Sequence, residues 1–328
     1  MARLLDREAT HVRTLARELA RREIAFVVIA ARGTSDNAAR YAQYAFGLLN
    51  RLPVALATPS LTTIYRRPPR VAGALVIGIS QSGRSPDIVE TLAAARRAGA
   101  PTLAIVNDDA SPLAKAAENV LPLHAGREGS VAATKTYTAE LAAVALLAAS
   151  LAGRRKVVDA LRRIPEAMSA ALGTEPAARR AAALFAKTAH AIVLGRGVNL
   201  ATAFEVALKL KELSLLFAEP YSTADFQHGP RALLSRDRGD IRALVISPPG
   251  CATEPELTAL AARLVRLGEK VITIGAGKGR VLPTPAVPEL LSPLVAVVPG
   301  QLLALHVARA RGLDPDDPRG IQKVTETF

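Results

Sequence analysis

Residues 74–86 read Ala-Leu-Val-Ile-Gly-Ile-Ser-Gln-Ser-Gly-Arg-Ser-Pro, an apolar run that changes abruptly into a hydroxyl-rich loop. The run from Leu75 to Ile79 is short and apolar, which is typical of a buried strand. The loop from Ser80 to Ser85 contains a glycine that suits a tight turn, and Pro86 is well suited to the first turn of a helix. The segment therefore predicts a strand, a polar loop and a helix in succession.

The same succession recurs along the first half of the chain. Further strands are predicted at residues 24–30, 102–106 and 120–123. The first of these ends in the polar loop 32–37, and an Ala-rich helical stretch follows it as far as Leu49. Strands that alternate with helices indicate βαβ units around a buried parallel sheet.

The second half of the chain repeats the first. Its strands are predicted at residues 191–194, 243–246, 271–274 and 294–298, in the same order as their counterparts. Residues 151–187 between the halves are helical and charged and show no strand pattern. We therefore predict an α/β chain of two tandem, doubly wound parallel-sheet domains, at residues 1–165 and 166–328.

Charge and cysteine content restrict the classes of function. The formal charge is +13, but the Lys and Arg residues are scattered among acidic residues in helical segments, so we expect solvated faces and no nucleic-acid partner. The residues ahead of Ile24 are too few for a helix-turn-helix domain. Cys251 is the only cysteine, which excludes an intrachain disulfide and a thiolate metal cluster, and we expect it to be a packing residue.

Neither a membrane segment nor an export segment is evident in the sequence. The N-terminal residues lack the order of a signal peptide. The apolar stretch 141–152 is rich in Ala and much shorter than a bilayer span, so we predict a buried helix there. The expected compartment is the cytoplasm.

Two hydroxyl-rich loops at predicted strand ends are candidates for a phosphate site. Short hydroxyl donors, backbone N–H groups of a tight turn and the positive end of a helix dipole together bind a phosphate monoester. The alternative is that these residues only form turns and cap helices. Because both loops fall in one half, at the edge where open α/β sheets bind ligands, we predict binding. The candidates are Thr34, Ser35, Ser80, Gln81, Ser82 and Ser85.

The corresponding loop of the second half has a different composition. Residues 247–252 read Ser-Pro-Pro-Gly-Cys-Ala. Its two prolines lack backbone N–H donors, so it is a poor site for an anion. The two halves are therefore predicted to have different tasks.

A charged face of a predicted helix is the second candidate site. Glu205, Lys209 and Glu212 have the i, i+4, i+7 spacing that aligns side chains on one helix face. An exposed face with a stabilising Glu–Lys pair is the alternative. The position directly after the loop Gly195-Arg196-Gly197, with apolar flanks, favours semi-burial and the shifted pKa values that proton transfer requires.

Two isolated residues complete the candidates. His228 lies in a loop, where a lone histidine is usually polar surface. Lys323 ends a Pro-punctuated tail, residues 314–323, that leaves it able to swing into a site. His11 lies in a helical stretch and His190 just ahead of a strand, and His124 and His306 have no acidic or histidine partner at ligand spacing, so we expect no metal and no cofactor.

Together these stretches resemble the double sugar isomerase (SIS) domain family, whose fold is flavodoxin-like. The resemblance extends over essentially the whole chain and is closest to the isomerase half of glucosamine-6-phosphate synthase and to stand-alone type II glucosamine-6-phosphate deaminases. Its motifs are Gly33-Thr34-Ser35, Ser80-Gln81-Ser82-Gly83, residues 128–135 (Glu-Gly-Ser-Val-Ala-Ala-Thr-Lys), residues 207–212 (Ala-Leu-Lys-Leu-Lys-Glu), His228-Gly229-Pro230, and residues 316–319 (Asp-Asp-Pro-Arg) with Lys323.

The resemblance assigns roles to the candidate residues. It implies that Thr34 and Val131 line the sugar, and that Arg84, where the synthase pattern has an acidic residue, leaves phosphate binding intact or strengthened. The 6-phosphate and nearby hydroxyls would be bound by Ser35, Ser80, Gln81, Ser82 and Ser85.

The same resemblance supplies the catalytic roles. It implies that Glu212 moves a proton between C1 and C2 and that Lys209 holds or relays charge beside it. His228 resembles the ring-opening residue, which in the synthase comes from the neighbouring subunit, so a homodimer is implied. Lys323 resembles the tail lysine that covers the open-chain sugar and forms an imine with a ketose.

The implied function is deamination of an amino-sugar 6-phosphate to a ketose 6-phosphate and ammonia. The sequence contains no counterpart of the synthase's glutaminase domain, so we expect this chain not to draw ammonia from glutamine by itself. Alternatives are a synthase isomerase module that uses free ammonia or a separate glutaminase partner, and a fructosamine-phosphate deglycase. A non-catalytic sugar-phosphate sensor is an alternative of another class, although a sensor needs only the phosphate loop.

Overall fold

The computed structural model describes residues 1–234, 241–321 and 323. Contacts within the chain divide it into two units. The first comprises residues 1–129 and 133–162 together with Lys323, and the second comprises residues 130–132 and the described part of 163–321.

The first unit is a five-stranded sheet covered by helices. Its elements are α1 (Ala2–Leu19), β1 (Phe26–Ala30), α2 (Gly33–Asn50), β2 (Val54–Leu56), α3 (Ser60–Thr63), β3 (Ala74–Ser80), α4 (Pro86–Arg97), β4 (Thr102–Val106), α5 (Pro112–Ala116), β5 (Asn119–Pro122), α6 (Lys135–Leu151) and α7 (Arg155–Leu161). The strand order is β2-β1-β3-β4-β5, and every neighbouring pair is parallel.

Burial explains the apolar runs in this sheet. Every residue of β3 and β4 is buried, as expected for central strands of a parallel sheet with helices on both faces. Helix α6 is apolar on all sides and is buried from Thr136 to Ala149, so the prediction of a buried helix at 141–152 is confirmed.

The second unit repeats this architecture. Its elements are α8 (Ile164–Leu172), α9 (Glu175–Ala182), β6 (His190–Gly195), α10 (Leu200–Ser214), β7 (Phe217–Ser222), α11 (Thr223–Gln227), β8 (Ile241–Ser247), α12 (Glu254–Arg266), β9 (Val271–Gly275), β10 (Arg280–Leu282) and α13 (Ser292–Ala310), with short 3₁₀ turns at Gly197–Asn199, Pro230–Leu233 and Glu289–Leu291. The order β7-β6-β8-β9-β10 is that of the first sheet with each strand replaced by its counterpart, and all pairs are parallel. The predicted pair of doubly wound α/β sheets is confirmed.

One predicted strand is wrong. Residues 294–298 lie inside helix α13, and the last strand of the second sheet is β10 instead. A fully buried helix is apolar on every side, so periodicity does not distinguish a short piece of it from a buried strand. The short edge strands β2 and β7 also escaped prediction, the latter because Glu219 and Pro220 interrupt its apolar pattern.

Helix α13 is the core helix of the second unit. The segment Glu289–Ala310 is long and apolar enough to cross a membrane, but 83% of its most apolar window is buried inside the protein. It packs against α8, α9 and α10. Gly300 makes the closest approach to α10, because a Cβ added there would lie 2.3 Å from Cγ2 of the buried Val206.

We predict that Gly300→Ala lowers the free energy of unfolding by about 1–3 kcal/mol, the usual effect of overpacking a core. The valine cannot rotate away cheaply, since its χ1 angle is restricted in a helix. Gly47→Ala is the matched control: Gly47 lies in α2 with no atom within 4 Å of an added Cβ, so that change should stabilise by about 0.5–1 kcal/mol. Urea unfolding measures the change in the free energy of unfolding for both variants. A change of the same sign in both would contradict the proposed contact.

Candidate functional site

The two hydroxyl-rich loops of the first unit follow neighbouring strands. The loop after β1 leads into α2, and the loop after β3 leads into α4. Strand order reverses between β1 and β3, because β2 lies on the far side of β1. Doubly wound sheets bind ligands at this switch point, outside the carboxyl ends of the strands.

The loop Ser80–Ser85 is a tight turn that holds itself in place. The Ser80 hydroxyl is buried and accepts a hydrogen bond from the Gly83 backbone N–H at 3.0 Å. Gly83 has φ +63°, and a Cβ added there would lie 2.2 Å from Oγ of Ser111, so only glycine fits. These contacts hold the loop in a tight turn.

Several donors of this loop remain available to an anion. Within the described part of the chain, the backbone N–H groups of Ser82 and Ser85 have no acceptor. The Ser85 side chain precedes the 12-residue helix α4 but makes no capping bond to it. Gln81 and Ser82 are half-buried at the same end. This combination of donors and helix terminus suits a phosphate group.

A partly buried ion pair that sequence reasoning missed joins the loop after β1 to the start of α4. Arg32, just before α2, donates from Nε and Nη2 to Oδ2 of Asp87 at 2.9 and 2.7 Å. Asp87 lies in the first turn of α4 and is 2% exposed, whereas half of the Arg32 side chain is exposed. The pair places a guanidinium group next to the predicted phosphate loop. In the sequence, the only signal of this pair is an acidic residue in the first turn of a predicted helix. That signal does not identify a partner 55 positions away.

The structure gives the other candidate hydroxyls of this unit different surroundings. The Ser35 hydroxyl is buried and donates to Oε1 of Glu140 at 2.8 Å, so its proton is already engaged. Thr34 is half-buried in the first turn of α2. Arg84 forms a long, exposed ion pair of 3.8 Å with Asp108, a type of pair that contributes little to stability.

The motif 128–135 leads into helix α6, which begins at Lys135. Glu128 is buried, and its Oε2 accepts hydrogen bonds from the backbone N–H and the hydroxyl of Thr136 at 3.0 and 2.9 Å. The carboxylate thereby satisfies donors at the positive end of the helix. Val131 is half-buried and belongs to the segment 130–132 of the second unit.

The charged trio Glu205, Lys209 and Glu212 lies on helix α10 of the second unit. Glu205 and Lys209 have no exposed side-chain surface, and 23% of the Glu212 side chain is exposed. The Lys209 ammonium lies 3.5 Å from Oε1 of Glu205 and donates to Oε2 of Glu212 at 2.5 Å. The predicted alignment on one face is confirmed, with burial deeper than expected for two of the three.

Electrostatics keep Lys209 charged in this environment. Burial alone lowers the pKa of Lys209, but the carboxylates of Glu205 and Glu212 outweigh burial and hold that pKa above its ordinary value. One ammonium and two carboxylates leave a net charge of −1. Because only Glu212 reaches the surface, it is the member of the trio that a ligand can meet.

The remaining candidates are His228 and Lys323. His228 ends helix α11; its side chain is exposed and has no hydrogen bond among the described residues of its unit. Lys323 is half-buried and has an interaction partner, and the residues on either side of it lie outside the described residues. In the described ranges, no three His, Cys, Asp or Glu side chains form a metal-binding group.

In the loop after β8, carboxylates accept hydrogen bonds from the backbone N–H groups. Glu254 accepts from the Gly250 N–H at 2.6 Å, and Glu289 accepts from the Ala252 N–H at 3.1 Å. Cys251 is buried in this loop, and burial raises the pKa of its thiol. This end of the second sheet therefore repels an anion, whereas its counterpart in the first unit has free donors.

Comparison with known proteins identifies the family. The SIS domain model matches residues 22–150 and 184–308. A glutamine–fructose-6-phosphate aminotransferase (isomerizing) of Thermus thermophilus is 36% identical over 319 residues, which are 92% of this chain and 52% of that protein. This chain thus spans about half the length of such relatives.

Solved structures agree in fold. A Silicibacter pomeroyi protein provisionally assigned as a phosphosugar isomerase is 37% identical, with a TM-score of 0.87 over 96% of this chain and 95% of that one. The C-terminal domain of glucosamine–fructose-6-phosphate aminotransferase from Francisella tularensis is 28% identical, with a TM-score of 0.82 over 93% and 89%. The chain belongs to the SIS domain family.

Proposed function

We propose that this protein is a phosphosugar isomerase that acts on an amino-sugar 6-phosphate and moves a proton between C1 and C2. The charged trio carries this proposal, because a fully buried ammonium holds a carboxylate at the protein surface. Such a positioned carboxylate is suited to general base catalysis. The 36% identity to an isomerizing aminotransferase and the 37% identity to the Silicibacter pomeroyi protein support the same reaction class.

In this proposal the first unit binds the 6-phosphate. The loop Ser80–Ser85 offers the N–H groups of Ser82 and Ser85, the Ser82 hydroxyl, the side chain of Gln81 and the positive end of α4. Arg32 supplies positive charge nearby. Thr34, Ser35 and Val131 are proposed to line the sugar; the Ser35 hydroxyl would do so while held by Glu140.

The proposed chemistry uses the carboxylate of Glu212 as the base. It removes the proton from C2 of the open-chain amino sugar while the C1 carbonyl oxygen takes up a proton, which gives an enolamine. Delivery of the proton to C1 and loss of a proton from the amino nitrogen then leave an imine at C2. Water then hydrolyses this imine to a ketose 6-phosphate and ammonia. The Lys209 ammonium, 2.5 Å from the carboxylate, fixes its position and balances its charge.

His228 and Lys323 are proposed to act before and after proton transfer. His228 is exposed and has no hydrogen-bond partner among the described residues of its unit, so it is suited to open the sugar ring in a second copy of the chain. A homodimer is therefore the proposed active form. Lys323 is proposed to cover the open-chain sugar. Activity restored by mixing His228→Ala and Glu212→Gln subunits would support the crossing of His228, and failure despite subunit exchange would oppose it.

We propose ammonia release as the direction of net flux. Capture of free ammonia from dilute solution lacks the high effective concentration of an enclosed supply, which favours release over synthesis. The proposed compartment is the cytoplasm, where charged sugar phosphates are retained.

The second candidate function is the synthetic direction, in which ammonia is added to a ketose 6-phosphate. The name of the Thermus thermophilus relative favours it. A non-catalytic sensor is disfavoured, because ligand sensing does not require a buried ammonium that positions a carboxylate.

We predict that Ser82→Ala raises KM for a 6-phosphate sugar by about 10- to 100-fold, since a hydrogen bond to a charged group is worth about 1.5–3 kcal/mol. Ser169→Ala, which alters an exposed serine of α8, is the matched control and should leave KM unchanged. Steady-state kinetics with phosphorylated and unphosphorylated sugars provide the test. An equal loss for both kinds of sugar would mean that the loop is only structural.

We predict that Glu212→Gln lowers kcat for ammonia release from glucosamine 6-phosphate by roughly 10²–10⁴-fold, with little change in substrate affinity. Glu205→Gln is the matched control on the same helix. It should lower kcat less, because Lys209 keeps its contact with Glu212. Unchanged turnover in Glu212→Gln would remove this residue from the mechanism.

The wild-type protein decides the direction in the same assay. Ammonia release from glucosamine 6-phosphate should be faster than formation of glucosamine 6-phosphate from fructose 6-phosphate and an ammonium salt. The opposite ratio of initial rates, or strong activation by an added glutaminase, would favour the synthetic direction.

A further inference from the structure

Five arginines surround a cleft in the first unit, which we call the arginine cleft. Its volume is about 520 Å³, and it lies where α1 and α7 pack against the C-terminal end of α6. Its charged lining consists of Arg13, Arg17, Arg154, Arg155 and Arg162, with Asp159 as the only carboxylate.

None of the five guanidinium groups has a partner in the described part of the chain. All five side chains are exposed, and none makes a hydrogen bond or an ion pair there. Other surface arginines do find carboxylates, such as Arg22 with Glu118 and Arg97 with Glu90, both at 2.6 Å. Arg13 and Arg17 are four residues apart on one helix, where like charges repel. The cleft thus concentrates positive charge that the protein does not neutralise.

Stabilisation of a helix end does not explain this cluster. Cations after a helix are favourable when its last carbonyls lack donors. At the end of α6, the carbonyls of Ala148, Ala149 and Ser150 already accept from backbone N–H groups that follow the helix. Arg13 and Arg17, moreover, lie on α1 and do not follow the end of α6.

We propose that the arginine cleft binds a compact organic polyphosphate of nucleotide size, with two or more phosphate groups. Arginine is suited to this ligand, because its planar fork donates two parallel hydrogen bonds to a phosphate group. Ala9, Ala149 and Val158 add apolar wall to the cleft. A volume of about 520 Å³ falls within the range of small-molecule sites.

This site is separate from the proposed substrate phosphate loop and does not depend on the proposed function. Glu140, near the start of α6, holds Ser35 beside the switch point, whereas Ser150 lines the cleft near the end of the same helix. Ser150 follows Glu140 by ten residues, which separates the two by about 15 Å along the helix axis. One sugar phosphate therefore cannot occupy both places.

The proposal is tested by titration calorimetry with inorganic tripolyphosphate and with ATP. The buffer contains about 0.15 M salt, at which exposed charges are screened beyond roughly 8 Å. Both probes should bind one per chain. Arg13→Gln/Arg17→Gln should weaken binding at least about tenfold, which corresponds to about 1.4 kcal/mol. Arg179→Gln/Arg180→Gln removes the same charge from exposed positions of α9 and should leave binding unchanged.

The outcomes separate a site from general electrostatics. Tighter binding of ATP than of tripolyphosphate, or equal binding, supports the proposal, and the difference measures the contribution of the nucleoside. Absence of binding, an equal loss in the α9 control, or tighter binding of a single-stranded oligonucleotide would overturn it. Should Arg13→Gln/Arg17→Gln unfold, Arg154→Gln/Arg155→Gln repeats the test from α7.

Discussion

A fully buried ammonium group must be matched by carboxylates, and Lys209 imposes this requirement on the second unit. Desolvating an isolated charge is so unfavourable that Lys209 needs Glu205 on the buried side and Glu212 toward the surface. Their positions are fixed by α10, which packs against α13 where Gly300 approaches Val206. Because the core holds α10 in place, it also fixes the carboxylate of Glu212, the member of the trio that a ligand can reach.

The two sheets have the same strand order but present opposite charge at corresponding loops. After β3, the loop has free N–H donors and an arginine held by buried Asp87. After β8, the carboxylates of Glu254 and Glu289 occupy the equivalent donors. A duplicated fold has thus kept its strands and changed its loops, which is where α/β proteins carry their function.

The sequence predicts those parts of the structure that depend on local patterns. Strands β1, β3 and β4 appear as apolar runs, and the helical spacing of Lys209 predicts the face that it shares with Glu212. Contacts between distant residues leave no such pattern: Arg32 meets Asp87 across 55 positions, and Ser35 meets Glu140 across 105. The strand predicted at 294–298 is wrong for a related reason, since only packing distinguishes a buried helix from a buried strand.

We propose that Glu212 moves a proton between C1 and C2 of a 6-phosphorylated amino sugar. Glucosamine 6-phosphate labelled with deuterium at C2 tests it most directly, with the label followed by NMR. We expect the wild-type protein to move the label from C2 to C1 of the product or to water, and the Glu212→Gln variant to leave it in place. Label that leaves C2 at an undiminished rate in the variant would contradict this role of Glu212.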